Sequence, residues 1–98
     1  MPRIFEIMDK TGRKIHLTDE RLNHIKKHPE FSGQNILSII EQTIKNPVKV
    51  TEYPLDPQIR YYYSYNKNRA SKAKYLRVII KYLNGEGFVI TAFFVVDV

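Results

Sequence analysis

The sequence has 98 residues, 43% of them apolar, with seven tyrosines and five phenylalanines. It therefore predicts one folded domain over residues 1–98 and excludes a disordered chain. It has no cysteine, which excludes disulfides and thiolate metal sites and favours a cytoplasmic location. The net charge is +6, and residues 57–85 contain seven basic residues and no acidic one. This asymmetry favours nucleic acid over a membrane as the partner.

The first third of the chain predicts a β-hairpin and a short helix. Residues 3–17 alternate in polarity around the turn sequence DKTG, as hairpin strands do. Thr18 suits the N-cap of the helix. The helix should end near Lys27, because Pro29 disfavours helical geometry at His28.

A second helix and four strands are predicted after Pro29. Ser32 is a candidate N-cap, apolar residues then recur at helical spacing, and Asn46-Pro47 ends the helix. Alternating segments follow at 48–53, 58–65, 74–83 and 88–97. We therefore predict an α+β domain in which the N-terminal hairpin and two helices pack on one face of a four-stranded antiparallel meander sheet.

His24 and His28 lie four residues apart, so both are expected on one side of the first helix. Three roles are open: a catalytic acid and base, two zinc ligands, or surface residues favoured by the helix dipole. Zinc is disfavoured because Ile25 stands where zinc-binding helices carry a glutamate, and His16 is the only other histidine. We therefore predict no metal and no cofactor.

Metal-independent RNA cleavage would suit these residue types. It needs a base for the 2′-hydroxyl proton, an acid for the leaving oxygen, and cations for the charge of the phosphorane. The two histidines are candidates for the first two tasks. The candidate cations are Arg60, Arg77 and Lys81.

The segment RYYYSY should alternate along a strand. We expect Tyr61, Tyr63 and Tyr65 in the core. On the other face, Tyr62 is a candidate for stacking on a base beside Arg60, although a core position suits it equally. Further candidates for RNA binding follow in the loop and the next strand: Lys67, Arg69, Lys72, Lys74 and Arg77.

The segments HLTDERLNHIKKHPEF, IIEQTIKNPVKV, RYYYSY, YLRVIIKY and GFVITAFF together resemble the phage-associated nucleases of the Barnase–EndoU–Colicin–RelE (BECR) superfamily. The resemblance covers nearly the whole chain beyond residue 13. It implies a metal-independent RNase whose site combines a helix histidine (His24 or His28), a basic strand residue (Arg60 or Lys81) and a hydroxyl of the last strand (Thr91). Members are often toxins, which implies RNA as the partner and allows for an inhibitor or antitoxin protein.

The favoured hypothesis is thus an endoribonuclease of toxin type that cleaves RNA by transesterification. Two alternatives stay open. One is a non-catalytic RNA- or DNA-binding module that uses the basic strands and loop 66–73. The other is a partner-binding protein of a phage or mobile element that keeps the fold without the chemistry.

The register of the last hairpin can be predicted from packing. Opposed residues share a face, and the apolar faces Leu76–Tyr82 and Phe88–Phe94 match only if paired numbers have an even sum. We therefore predict an odd loop or a glycine bulge within NGEG. Thr91 should then lie on the face of Arg77 and Lys81, opposite the helices.

Overall fold

The computed structural model describes residues 3–9, 12–27, 35–67, 69 and 71–97. Every predicted helix and strand is present, with ends that differ by a few residues. Neither helix is long and apolar enough to cross a lipid bilayer within this described part of the chain. The elements are β1 (Arg3–Met8), β2 (Lys14–Thr18), α1 (Asp19–Lys26), α2 (Ile36–Lys45), β3 (Lys49–Tyr53), β4 (Asp56–Tyr65), β5 (Tyr75–Leu83) and β6 (Glu86–Val95).

The predicted four-stranded antiparallel sheet is wrong. The sheet has six strands in the order β1-β2-β6-β5-β4-β3. Strands β3 to β6 form the expected meander, but the hairpin joins the same sheet through a parallel pairing of β2 with β6. The paired positions of this ladder are Ile15 with Gly87 and His16 with Phe88. The hairpin thereby covers an edge of β6 that would otherwise leave backbone groups unpaired.

Local signals set the starts of the helices. The Thr18 hydroxyl accepts a hydrogen bond from the Arg21 backbone N–H at 3.3 Å, which confirms the predicted cap of α1. Asn35 caps α2, since its side chain accepts from the Ser38 N–H at 3.3 Å. Ser32 lies outside the described residues.

Both helices pack on the same face of the sheet and form one core with it. Leu22 and Ile25 are the buried residues of α1, and Ile36, Ile40 and Ile44 are apolar buried residues of α2. The sheet contributes Ile15, Leu17, Tyr62, Leu76, Val78, Ile80, Tyr82, Val89, Ala92 and Phe94. The other face of the sheet, here called the open face, has no helix packed on it among the described residues.

In the last hairpin, formed by β5 and β6, Thr91 has the predicted alignment, but the turn and the bulge differ from the prediction. Its turn is the two-residue Asn84-Gly85, and the pairing then shifts at a bulge that leaves Ile90 between Val89 and Thr91. Beyond the bulge Thr91 opposes Ile79, on the face of Arg77. The predicted side of Thr91 is confirmed, but the bulge is not at a glycine. The core face before the bulge is Gly87 and Val89 instead of Phe88 and Ile90.

Candidate functional site

The candidate catalytic residues are divided between the two faces of the sheet. Arg60 opposes the fully buried Ile80 and so lies on the helix-covered face. Lys81 opposes Phe88, and Thr91 opposes Ile79, both on the open face. Because the sheet separates them, Arg60 cannot act on the same phosphate as Lys81 and Thr91.

The predicted histidine pair is only partly described. His24 is exposed on α1, which packs against β6 and β2, and His28 lies outside the described residues. Among the residues described, no group of three histidine, cysteine, aspartate or glutamate side chains is placed to hold a metal ion.

The prediction for the two faces of β4 is inverted. Tyr62 is 4% exposed and belongs to the core, so its ring cannot stack on an RNA base. Tyr61, which was expected in the core, lies on the open face opposite Ile79. On the inward face of β4 the hydroxyls of Tyr62 and Ser64 have partners, whereas Arg60 Nε is buried without a hydrogen-bond partner among the described residues. The Ser64 hydroxyl, for example, lies 2.6 Å from the Thr43 hydroxyl.

Three buried polar groups, Asp9, Tyr62 and Tyr82, form what we call the phenol cluster. The Tyr82 hydroxyl donates to Asp9 Oδ2 at 2.6 Å, and the Tyr62 and Tyr82 hydroxyl oxygens lie 2.6 Å apart. Because Tyr82 uses its one proton in the bond to Asp9, Tyr62 donates to Tyr82, and the Tyr62 oxygen lies 3.4 Å from Asp9 Oδ2. Burial raises the pKa of both tyrosines above the ordinary value, and the bond to Asp9 raises the pKa of Tyr82 further. Both phenols therefore remain protonated donors.

Two arginines stack against the phenol cluster. The guanidinium carbons of Arg13 and Arg60 lie 4.8 Å and 5.4 Å from the ring centroid of Tyr82. Gly87 gives this ring its space, because a Cβ there would come within 3.0 Å of Tyr82 Cε1 and 2.8 Å of Ile15 Cδ1. Arg60 Nη2 also lies 3.8 Å from Glu52 Oε1. The result is a compact group of two cations, two phenols and two carboxylates on the helix-covered face.

Arg77 is the centre of an aromatic group on the open face. Its guanidinium carbon lies 4.9 Å, 5.3 Å and 5.6 Å from the ring centroids of Tyr61, Tyr63 and Phe93. Its Nε donates to the Tyr63 hydroxyl at 3.0 Å. We call these four residues the Arg77 patch. Tyr63 is buried beneath the patch, whereas Tyr61, Arg77 and Phe93 remain partly exposed.

Further rings and cations extend the Arg77 patch across the open face. Tyr53 packs on Tyr61 with 5.8 Å between ring centroids, and Tyr65 packs on Tyr75 at 5.1 Å. Lys49 opposes Tyr63 on β3, and Lys81 opposes Ile59 on β4, so both lysines flank the patch on the same face. Lys81 Nζ lies 3.8 Å from Asp56 Oδ2, a distance at which the ammonium keeps room for another anion.

We call residues 66–74, between β4 and β5, the basic loop. Its four predicted RNA-binding residues have different surroundings: Lys67, Arg69, Lys72 and Lys74. Lys67 and Lys72 are exposed. Arg69 lies 3.6 Å above the ring of Phe94 and donates from Nε to the Ala73 carbonyl at 2.9 Å. Lys74 Nζ donates to the carbonyls of Lys67 and Arg69. Arg69 and Lys74 therefore hold the loop together, and the two exposed lysines are its candidates for phosphate binding.

His16 is a structural residue. It is 1% exposed, and its ring lies between two glutamates, with Nε2 2.9 Å from Glu86 Oε1 and Nδ1 3.4 Å from Glu6 Oε2. Its ring also packs on Phe88 at 5.2 Å between centroids. These contacts bind β1, β2 and β6 to one another.

Several site residues were missed at the sequence level. Arg13 and Asp9 lie at the turn between β1 and β2, and nothing in the sequence indicates that this turn contacts Tyr82. Lys49 had a usable signal, because the register of the β3–β4 hairpin places it opposite Tyr63. Comparisons with protein-family models, with curated proteins and with solved structures gave no match.

Proposed function

We propose that this protein binds single-stranded RNA on the open face of its sheet. The observation that carries the proposal is the Arg77 patch, in which a guanidinium is fixed among aromatic rings on a face that no described helix covers. A guanidinium suits a phosphate, and partly exposed rings offer stacking surfaces to bases.

The surrounding residues support an unpaired strand as the ligand. Stacking on Tyr61 and Phe93 requires bases that are free of a duplex, because paired bases hide their faces. Lys49 and Lys81 flank the patch and can follow the backbone of such a strand. The net charge of +6 favours a polyanion. The absence of cysteine supports the cytoplasm as the location.

A second candidate function is metal-independent RNA cleavage, which the resemblance to BECR nucleases implies. It is favoured by the arginines at the phenol cluster, since Arg13 and Arg60 together have the charge to stabilise a phosphorane. His24 has the chemistry of an acid or base and is exposed. In this function the scissile phosphate would bind on the helix-covered side. A toxin role with an inhibitor protein rests on the resemblance alone.

One assay separates the two functions. A single-stranded RNA labelled at either end is incubated with the protein in EDTA and analysed on native and denaturing gels. Binding alone gives a shifted complex and full-length RNA, whereas cleavage gives shorter products with 2′,3′-cyclic phosphate ends. Intact, unshifted RNA at low salt would contradict both functions.

A further inference from the structure

A pocket of about 350 Å³ opens where α2 meets the end of β4 and the start of β3. Three carboxamides, those of Gln42, Asn46 and Asn66, line it together with the hydroxyls of Ser38 and Ser64. The volume lies at the lower end of the range for small-molecule sites. The pocket is separate from both the Arg77 patch and the phenol cluster.

The polar wall of this pocket has a defined hydrogen-bonding character. The Thr43 hydroxyl donates to the Ile39 carbonyl at 2.7 Å, so Ser64 must be the donor in the 2.6 Å bond between the two hydroxyls. The Ser64 hydroxyl therefore has no proton for the pocket, and its oxygen already accepts from Asn66 Nδ2 at 3.4 Å. The carboxamides of Gln42 and Asn46 each offer both a donor and an acceptor. A nucleobase edge presents the complementary mixture of donors and acceptors.

The pocket lies on the helix-covered side, where α2 lines it, and borders the open face at Tyr65. Tyr65 lines it, is 51% exposed, and packs on Tyr75 of the open face. The exposed Lys67 follows Asn66 in the chain. None of the lining residues is acidic, so a phosphate entering beside Lys67 meets no opposing charge from the lining.

We propose that this pocket receives one unpaired base of an RNA strand that lies on the open face and reads the edge of that base through Gln42 and Asn46. This inference rests on the proposed RNA binding and adds to it a site of base discrimination. The cations of the open face supply affinity for any sequence, and the pocket supplies the preference among bases.

The test measures base preference, which a purely structural role would leave unchanged. Labelled U10, C10 and A10 oligonucleotides are titrated by fluorescence anisotropy with the full chain and with Gln42→Ala and Asn46→Ala. Gln42 is exposed on a helix, where alanine is well tolerated. We expect the wild type to discriminate among the three oligonucleotides, and each variant to reduce the ratio between the best and the worst ligand by about tenfold. Gln58→Ala removes an exposed carboxamide outside the pocket and serves as the matched control.

The outcomes separate this inference from the proposed function. A wild type that binds all three oligonucleotides equally, or variants that keep the wild-type ratio, would overturn the base pocket and leave RNA binding intact. Absence of binding to any oligonucleotide would overturn both. If circular dichroism shows that Asn46→Ala is unfolded, the comparison of Gln42→Ala with Gln58→Ala decides the question.

Discussion

The Nε atom of Arg77 donates a hydrogen bond to the hydroxyl of Tyr63 at 3.0 Å, from one strand of the open face to the next. This bond fixes a long, flexible side chain before any ligand arrives. A preorganised guanidinium loses less conformational entropy when it binds a phosphate than a free one does. Tyr63 is therefore a positioning residue for Arg77.

Arg77→Ala should weaken RNA binding by roughly tenfold, since it removes both a charge and a stacking partner. It should also reduce the slope of log affinity against log salt by about 0.7, the value for one phosphate contact on a single strand. Tyr63→Phe should weaken binding less and leave the slope unchanged, because the charge remains. Fluorescence anisotropy at several salt concentrations measures both quantities. Lys26→Ala, which removes one exposed charge on α1, is the control.

The basic loop should divide into binding and structural residues. The double variant Lys67→Ala, Lys72→Ala should reduce the salt slope by about 0.7 for each lysine that contacts a phosphate and leave the melting temperature unchanged. Arg69→Ala should lower the free energy of unfolding by about 1 kcal/mol, because it removes the contact with Phe94 and the bond to Ala73. Equal effects of both changes on stability would contradict this division. Urea unfolding and salt-dependent binding provide the comparison.

The phenol cluster predicts a loss of stability at alkaline pH. Below about pH 10 tyrosine is protonated in both the folded and the unfolded chain, so the cluster contributes fully. Above that pH the unfolded chain loses protons that Tyr62 and Tyr82 retain, because their pKa values are raised in the fold. The free energy of unfolding should therefore fall as pH rises beyond about 10.

A spectrophotometric titration checks this expectation. Part of the phenolate absorbance of the seven tyrosines should appear only when the circular dichroism of the fold is lost. Tyr62→Phe should reduce that part. A single smooth titration of all tyrosines in the folded protein would show that the cluster is open to solvent.

Gly87→Ala should destabilise the protein by about 1–3 kcal/mol, because the new methyl group collides with Ile15, Ile80 and Tyr82. The nearest of these atoms is Ile15 Cδ1, which Ile15→Val removes. The double variant should therefore recover part of the loss, and a double-mutant cycle measured by urea unfolding isolates the coupling. If the two changes in the free energy of unfolding add strictly, the added methyl group is accommodated by a movement of Tyr82 and not of Ile15.

If the gel assay detects cleavage, three variants locate the scissile phosphate. His24→Ala should lower the rate by about 10²–10⁴-fold if this residue is the acid or base. Arg60→Ala should lower the rate at saturating RNA, whereas Arg77→Ala should chiefly raise the RNA concentration needed. The reverse pattern would place cleavage on the open face. Single-turnover rates measured across RNA concentrations distinguish these cases.

The sequence predicted local features well where the physical cause is local. The alternation of the hairpin strands, the Thr18 cap and the stop at Asn46-Pro47 all correspond to observed elements. The side of Thr91 was also correct, because turning Phe94 out of the core would cost about 1.5–3 kcal/mol. The position of the bulge could not be predicted, since a bulge at Ile90 and a bulge at a glycine both give an even sum of paired residue numbers.

The failures concern relationships between distant segments. The sequence left Tyr62 open between base stacking and a core position. It lies in the core because Asp9 and Tyr82 satisfy its hydroxyl, and neither partner is adjacent in sequence. The parallel pairing of β2 with β6 has no local signature. Arg60 and Lys81 both suited a phosphate by residue type, and only the strand register places them on opposite faces.

The bridge between His16 and Glu86 spans 70 residues of sequence, and it constrains how the chain folds during synthesis. The hairpin of β1 and β2 leaves the ribosome early, yet Ile15 cannot be covered until β6 follows. Closing so long a loop has an entropic cost that is offset only when the contacts of β6 form. We expect this cost to slow folding. Phe93 of the Arg77 patch belongs to that same final strand. The nascent protein therefore completes the Arg77 patch and joins its hairpin to the rest of the sheet in one late step.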